Sequence, residues 1–537
     1  MNEDQLGPAQ MSGRERILAA LQGQPIDRIP FVPLIDIYTL LDMPSEVQGA
    51  LQEASSKGYW QGILQASRAI GCDIMLRHVD VTTTISAKAP HLQGFGEFQD
   101  PVQVSSRMDG SLLIETLETP VGTLKGTWGS TDAHGWIPHP IKHLVNDHEE
   151  LKIFQYAVEH LSNEAPAPDY ENFLDAENEV GDEGIATTSF LNTPLMHMIE
   201  TVWGLENTYY LLHDYPEEVE EILDRLHQAQ RLIVERIADS PAKVVIEYEN
   251  TSSTLLSPEI FRKYCLPYLN KYADLLRSAD KIYLVHMCGK LHSFIEDFVD
   301  ARFDGIADIS PKPTGDLDLD EATASLPGKT IIGGIDANTF ISQDFKDVET
   351  QVADLITRIK PFRGVLLGSA DTAPRGTRVE TFRLIQHLVN TLGAYDERVS
   401  GAYEPGAFVS TIPVETVSSE TGAQPAAQMD TTEEEDVGLV YFAMNELTRR
   451  LDGKRPDVTT VIKFDVTDDE IYRLFINEGK CRLEVFDGDA DVTLATKSKH
   501  LLALFTGKLN PVSAYMTRKI KIQGDMQALG VLSDARE

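Results

Sequence analysis

VVIEYENTSSTLLSPEIFRKYCLPYLNKYADLLRSADKIYLVHMCGKL, residues 244–291, reads as a strand, a helix and a second strand. Its two ends are short runs rich in β-branched and aromatic residues, and segment 258–278 between them carries apolar residues at spacings of three and four. That order is a β-α-β unit, because parallel neighbours in a sheet need a long crossover between them. The unit ends in chemistry. His286 and Cys288 stand two residues apart, where the second strand opens into a loop. Residues i and i+2 of a strand share a face, so an imidazole and a thiol can aim at one cation while Met287 points away. Nitrogen plus sulfur is half of a tetrahedral zinc set, and a catalytic zinc keeps three protein ligands and one open position.

The same alternation recurs on either side. Strands are expected at 29–33, 72–76, 185–190, 244–248, 282–287, 305–309, 330–335 and 364–368, with helical segments such as 216–238 and 258–278 between them. Eight strands with crossovers predict an α/β fold of the TIM (β/α)8 type, with an open doubly wound sheet as the rival. Between the second and third strands, SLLIETLETPVGTLKG (111–126) reads as an inserted β-hairpin. In a barrel the carboxyl ends of the strands surround one cavity. Those ends carry Asp36, Arg77 with Asp80, Asn192, Glu247 with Glu249 and Asn250, His286 with Cys288, Asp308 with Ser310, Asp336, and Ser369 with Asp371.

Composition narrows the partners. The chain has 84 Asp and Glu against 47 Lys and Arg, a formal charge of -37, and such a field repels nucleic-acid phosphates and anionic lipid headgroups. No run approaches the ~20 apolar residues of a membrane span, and the acidic start MNEDQLGPAQ has no apolar core of a secretory leader, so a cytoplasmic protein is expected. Four cysteines in 537 residues are too sparse for a disulfide framework. A Pro-, Ser-, Thr-, Gly- and Glu-rich stretch divides the chain into a barrel over 1–400, a flexible linker over 401–432 and a smaller domain over 433–537.

Residues 244–291 resemble the uroporphyrinogen decarboxylase superfamily, in particular its cobalamin-dependent methyltransferase branch. There a Ser-Pro-x-x-Phe-x-x-Tyr-x-x-Pro-Tyr helix precedes a strand ending in His-x-Cys-Gly, as Ser257 to Tyr268 and His286 to Gly289 do here. MSGRERILAALQGQPIDRIPFVP, and TPVGTLKG followed by HPIKHLVNDHEELKIFQYAVE, extend the resemblance over roughly 11–393. It implies a barrel with His286 and Cys288 as zinc ligands, and a corrinoid (cobalamin) cofactor, expected on a separate protein because the chain has no Asp-x-His-x-x-Gly signature.

Two departures shape the expectation. The decarboxylases carry Arg-Gln-Ala-Gly-Arg after the first strand to meet substrate carboxylates, and here that stretch reads FVPLIDIYTL. The zinc methyltransferases carry a further cysteine after the last strand, and here the segment reads LLGSADTAPRGT. An oxygen from Asp371, Glu247 or Glu249 is then the expected third ligand. Asp73, near the family's catalytic aspartate, Glu249 and Asp336 are the candidate catalytic carboxylates.

Beyond the linker, GLVYFAMNELTRRL (438–451) is an amphipathic helix, followed by three alternating strands and further helical spacing, an α+β domain with an antiparallel sheet. The ending AYMTRKIKIQGDMQAL (514–529) resembles the sterol-carrier-protein family, which implies a tunnel for lipids or other hydrophobic ligands, with Phe442, Phe475, Phe505 and Met516 among its candidate lining. Subunit assembly into a homo-oligomer is the other use of such a domain. The function expected is a zinc-assisted methyltransferase moving a methyl group between a small, hydrophobic donor or acceptor and a corrinoid. A porphyrinogen decarboxylase and a non-catalytic lipid-binding protein are the alternatives.

Overall fold

The structure, a computed structural model, describes residues 10–36, 39, 59–82, 95–109, 112–129, 139–395 and 403–412. Beyond these it describes 444, 447–448, 451, 458–466, 471–477, 480–485, 489–497, 500–501, 504, 514 and 519–524.

The first strand of the parallel sheet is β1 (Ile74–Leu76). An inserted antiparallel sheet follows, β2 (Gln103–Asp109), β3 (Leu112–Thr119), β4 (Gly122–Gly129) and β5 (His139–Lys142), which contains the expected hairpin. The parallel sheet then resumes with β6 (Gly184–Phe190), β7 (Val244–Tyr248), β8 (Ile282–His286), β9 (Gly305–Ile309), β10 (Thr330–Ile335) and β11 (Val365–Ser369), in the spatial order β1-β6-β7-β8-β9-β10-β11. Segment 29–33 closes the ring. Phe31 pairs in parallel with Leu367 of β11, and its carbonyl accepts from the Asp73 N–H at 2.9 Å. Pro30 and Pro33 lack the N–H groups a longer ladder needs, so this eighth stave is a bridge and not a full strand.

Strand pleat sorts the core into two layers. Val32, Met75, Ile185, Val244, Ile246, Ile282, Leu284, Ala307, Ile332 and Leu366 form an inner cluster, plugged at the amino-terminal end by Ile17, Ala20 and Leu21 of helix Gly13–Leu21. Their neighbours Val245, Tyr283, Val285, Ile306, Ile331 and Leu367 face the surrounding helices. The helix expected over 258–278 is two, Pro258–Tyr264 and Leu266–Ser278, because Pro267 cannot donate into the preceding turn.

Residues 403–412, expected as linker, pack on the barrel. Gly406 N–H donates to Glu349, Phe408 stacks on His387 at 4.8 Å, and Ile412 is buried. Tyr403 and Phe408 give this piece the apolar anchors that 413–432, outside the described residues, lacks in its sequence.

The remaining sheet is β12 (Thr459–Val466), β13 (Ile471–Asn477), β14 (Lys480–Val485), β15 (Val492–Thr496) and β16 (Ile520–Gly524), in the order β14-β13-β12-β15-β16. It is mixed, since β12 and β15 run parallel while the other pairs are antiparallel. Alternation cannot reveal this, because it reports which face a side chain takes and not the direction of the neighbouring strand. One face, with Ile462, Phe464, Tyr472, Leu474 and Val492, forms a separate core with Met444, Leu447, Leu501 and Leu504.

Candidate active site

The pleat that fills the barrel also aims its chemistry. On β8, Ile282 and Leu284 face inward, so His286 faces inward one step further on, at the carboxyl end. On β7, Val244 and Ile246 face inward, and Tyr248 follows them. Its ring lies between His78 and His286, with centroids 4.3 Å and 4.8 Å away.

A bulge brings a carboxylate to the histidine. Pairing between β9 and β10 steps from Ile306↔Ile331 to Ile309↔Gly333, so Ala307 and Asp308 together oppose Ile332. Asp308 adopts φ +66°, which turns its side chain away from the helix layer that strict alternation would give it. Gly333 is what permits this. A Cβ there would sit 2.6 Å from the Ile309 nitrogen. The Asp308 carboxylate accepts from His286 Nδ1 at 2.8 Å and from both terminal nitrogens of Arg77 at 2.8 and 3.0 Å. Burial alone would raise the Asp308 carboxyl, but the Arg77 guanidinium and His286 hold it well below the usual carboxylate range.

With Nδ1 committed, His286 Nε2 is left for a ligand, and it lies 4.0 Å from Asp371 Oδ1. One donor atom each from His286, Cys288 and Asp371 lies within 4.8 Å of the others, the only such trio of His, Cys, Asp or Glu among the described residues. Ser310 Oγ lies 2.7 Å from the Cys288 carbonyl and 2.8 Å from the Ala370 carbonyl, tying the ends of β8 and β11 together beside this trio. Burial disfavours the imidazolium, yet hydrogen bonds with Asp308 and Cys288 hold His286 up at about 10. Burial pushes the Cys288 thiol up, opposed by His286. The set is one nitrogen, one sulfur and one oxygen, the donor types that suit zinc, with a carboxylate behind the imidazole as metal-binding histidines usually have.

The trio opens on a cavity of about 470 Å³. Its wall continues through Glu200, Asn250, Ser252, Thr254 and Leu255. Glu200 belongs to a π-helical turn, Met198–Val202, that widens the helix after β6. Asn192 Nδ2 donates to its carboxylate at 2.8 Å, Asn250 also hydrogen-bonds it, and burial raises it to about 7. Gly289 lets loop 251–253 pack directly against the end of the His286–Gly289 segment, since a Cβ there would lie 2.2 Å from Ser252 Cβ and 2.9 Å from the Thr251 carbonyl.

The expected site residues divide. Donor atoms of His286, Cys288 and Asp371 lie together at the cavity wall. Glu247 does not join them. It alternates to the helix side of β7, where the Tyr283 hydroxyl donates to it. Glu249 follows the same parity and accepts from the Thr193 N–H at 2.6 Å and the Thr193 hydroxyl at 2.7 Å. Burial raises Glu249 to about 8 and Glu247 well above its ordinary value, so both sit as buried acids off the cavity.

Asp73 precedes β1 and is therefore at the amino-terminal face, away from the cavity. Its carboxylate accepts from Arg16, Arg28 and the Phe31 N–H, tying three segments together at that face. Asp336 caps helix Ala337–Ile341, accepting from the Asn338 N–H at 2.9 Å, and does not line the cavity. In the smaller sheet Phe475 lies on the face opposite the core, between Arg473 and Arg482, because it alternates with the buried Leu474 and Ile476. Phe442, Phe505 and Met516 lie outside the described residues. Nothing in MHMIETV marks the widened turn that brings Glu200 to the cavity.

Residues 171–392 match the family described as uroporphyrinogen decarboxylase, and residues 443–535 match the SCP-2 sterol transfer family. The chain thus carries a uroporphyrinogen decarboxylase family domain followed by a sterol-carrier-protein domain. No curated protein matches the chain. Among solved structures, it is similar to a methyltransferase from Methanosarcina mazei at 15% identity, covering 71% of this chain and 98% of that one, with a TM-score of 0.46. Sterol Carrier Protein 2 Like 2 from Aedes aegypti is 20% identical over 18% of this chain and 94% of its own, with a TM-score of 0.16. Sterol carrier protein domain 2 of Helicoverpa armigera is 28% identical over 18% and 85%, with a TM-score of 0.15. Among the described residues no helix is long and apolar enough to cross a membrane.

Proposed function

We propose that the barrel is a zinc-assisted methyltransferase that moves a methyl group between a small substrate and a corrinoid carried by a partner protein. The observation that carries this reading is the convergence of His286, Cys288 and Asp371 on one point at a cavity wall, with Asp308 fixing the imidazole. A zinc held by these three supplies Lewis acidity toward a substrate oxygen or sulfur. Residues of the chain do the rest. Arg77 neutralises Asp308, and Asp308, engaging Nδ1, leaves Nε2 as the ring nitrogen facing Cys288 and Asp371, whose proton a bound cation would displace. Glu200, held by Asn192 and Asn250, stores a proton at its carboxyl near neutrality and hands it to the leaving oxygen or sulfur when the methyl group departs. Loop 251–253, packed against Gly289, fixes the position of Ser252 in the cavity wall.

Decarboxylation of a polycarboxylate is the weaker reading. The described wall of the cavity carries Asp36, Glu200 and Asp371 and no Lys or Arg, while Arg77 is already spent on Asp308. The smaller domain, by its match to the sterol transfer family, is proposed to bind an apolar ligand on the core side of its sheet. The test is elemental analysis of protein purified without chelator, coupled to a methylcobalamin demethylation assay. About one zinc per chain with demethylation supports the proposal. Metal-free protein that decarboxylates uroporphyrinogen overturns it.

A further inference from the structure

A second depression adjoins the cavity. It holds about 480 Å³ and is formed by the start of helix Leu205–Asp214 on one side and loop 253–257 on the other. Thr254 and Leu255 border both spaces, so the polar cavity and this groove meet across two side chains. Their linings contrast. The cavity wall holds His286, Cys288, Asp371 and Glu200, whereas the groove holds Leu205, Tyr209, Tyr210, Leu255 and Leu256 with a single charged residue, Glu206.

The groove is built as well as apolar. The Tyr209 hydroxyl donates to the Leu255 carbonyl at 2.7 Å and clamps the helix to the loop. The loop is fixed at its other end, where Ser253 N–H donates to the Lys290 carbonyl at 2.9 Å and Lys290 N–H donates to Ser252 Oγ at 3.0 Å. Its walls are therefore tied to the His286–Gly289 segment itself. Despite this rigidity, Tyr210 is 68% exposed and Leu205 and Tyr209 each 36% exposed, apolar surface that a bound ligand would cover.

Resting on the proposed methyl transfer, we propose that the substrate is an amphiphile whose methyl-bearing polar head enters the cavity and whose aromatic or alkyl tail lies in the Leu205–Tyr209–Tyr210 groove. Adjacency favours a tail over a separate partner, because Thr254 and Leu255 line both the groove and the cavity. Each space is of the size that holds part of a small organic molecule, and together they hold a larger one. The polar head satisfies Glu200 and the donor trio, and the tail buries tyrosine and leucine surface that otherwise faces water.

The test uses the full chain and a photoaffinity probe, a 4-alkyl-methoxybenzene with a diazirine on an eight-carbon tail, mapped by peptide mass spectrometry. Labelling is expected within 205–210 or 253–257, reduced about tenfold in Tyr210→Ser and in Leu205→Ser, with unlabelled methoxybenzene competing only weakly. Tyr210 is exposed, so its variant keeps the fold, and circular dichroism confirms it. Labelling confined to residues beyond 443, or unchanged in both variants, overturns the proposal. Labelling is read without turnover. Correct labelling with no methyl transfer therefore sinks the catalytic reading and leaves the groove assigned, while transfer from methanol-sized donors without groove labelling does the reverse.

Discussion

His286 Nδ1 lies 2.8 Å from Asp308 Oδ2, and Asp308 in turn is held by both terminal nitrogens of a buried Arg77. The chain Arg77–Asp308–His286 runs across three strand ends, β1, β9 and β8, and decides which imidazole nitrogen faces the cavity.

Cutting that chain at its middle should weaken metal binding without removing a ligand. Asp308→Asn is expected to lower zinc affinity about 10- to 100-fold, measured by chelator competition, whereas Cys288→Ser removes a donor and should lose most of the metal. Asp308→Asn also strands Arg77, so urea unfolding should report a loss of about 3–5 kcal/mol. Zinc affinity unchanged in Asp308→Asn would remove this carboxylate from the site.

Asp73 predicts the opposite pattern. Asp73→Asn removes the carboxylate partner of Arg28 and leaves Arg16 with Asp27, and a loss of about 3 kcal/mol is expected with zinc content unchanged in the protein that folds. A stable Asp73→Asn protein that has lost its chemistry would restore the catalytic assignment.

Glu200, raised to about 7 by burial, should set the basic limb of the rate profile. An acid must be protonated, so kcat for methyl transfer from substrate to corrinoid is expected to fall as pH rises through about 7, and Glu200→Gln should lower it about 10²- to 10⁴-fold and abolish that limb. Measured zinc content separates this from metal loss. A limb that persists in the variant belongs to another group.

Glu249 governs stability and not rate. Its carboxyl titrates near 4.5 in the unfolded chain but at about 8 when folded, so the folded state holds the extra proton between these values. Stability from this group is present in full below about 4.5 and declines as pH rises toward 8, by up to about 1.4 kcal/mol per pH unit. Glu249→Gln should make that decline shallower in denaturation curves taken from pH 5 to 9, leaving the share of the neighbouring raised Glu247. A parallel decline in parent and variant would assign it elsewhere.

Gly289→Ala tests the loop. The added methyl group meets Ser252 and the Thr251 carbonyl, so loop 251–253 must shift, and both substrate affinity and zinc retention are expected to drop. Hydrogen exchange at 250–257 should rise in the variant. Unchanged exchange would show that the loop gives way without cost.

The sequence determined the strands, because each is a short β-rich run bounded by turns, and it determined that His286 and Cys288 share a face, because strand periodicity is two. The same periodicity places Glu247 off the cavity. Counting in steps of two from Ile246 to Tyr248 leaves Glu247 on the helix side with Val245. The tertiary structure decided what lies between elements. Asp308 reaches His286 only through a bulge whose extra residue has no one-dimensional signature. Asp371 becomes the third donor because β11 ends beside β8 across the barrel mouth. Glu200 faces the cavity through a π-turn, and Asp73 is engaged away from the cavity by Arg16 and Arg28. Periodicity is local and is written in the chain, while convergence depends on closure of a ring whose members are hundreds of residues apart.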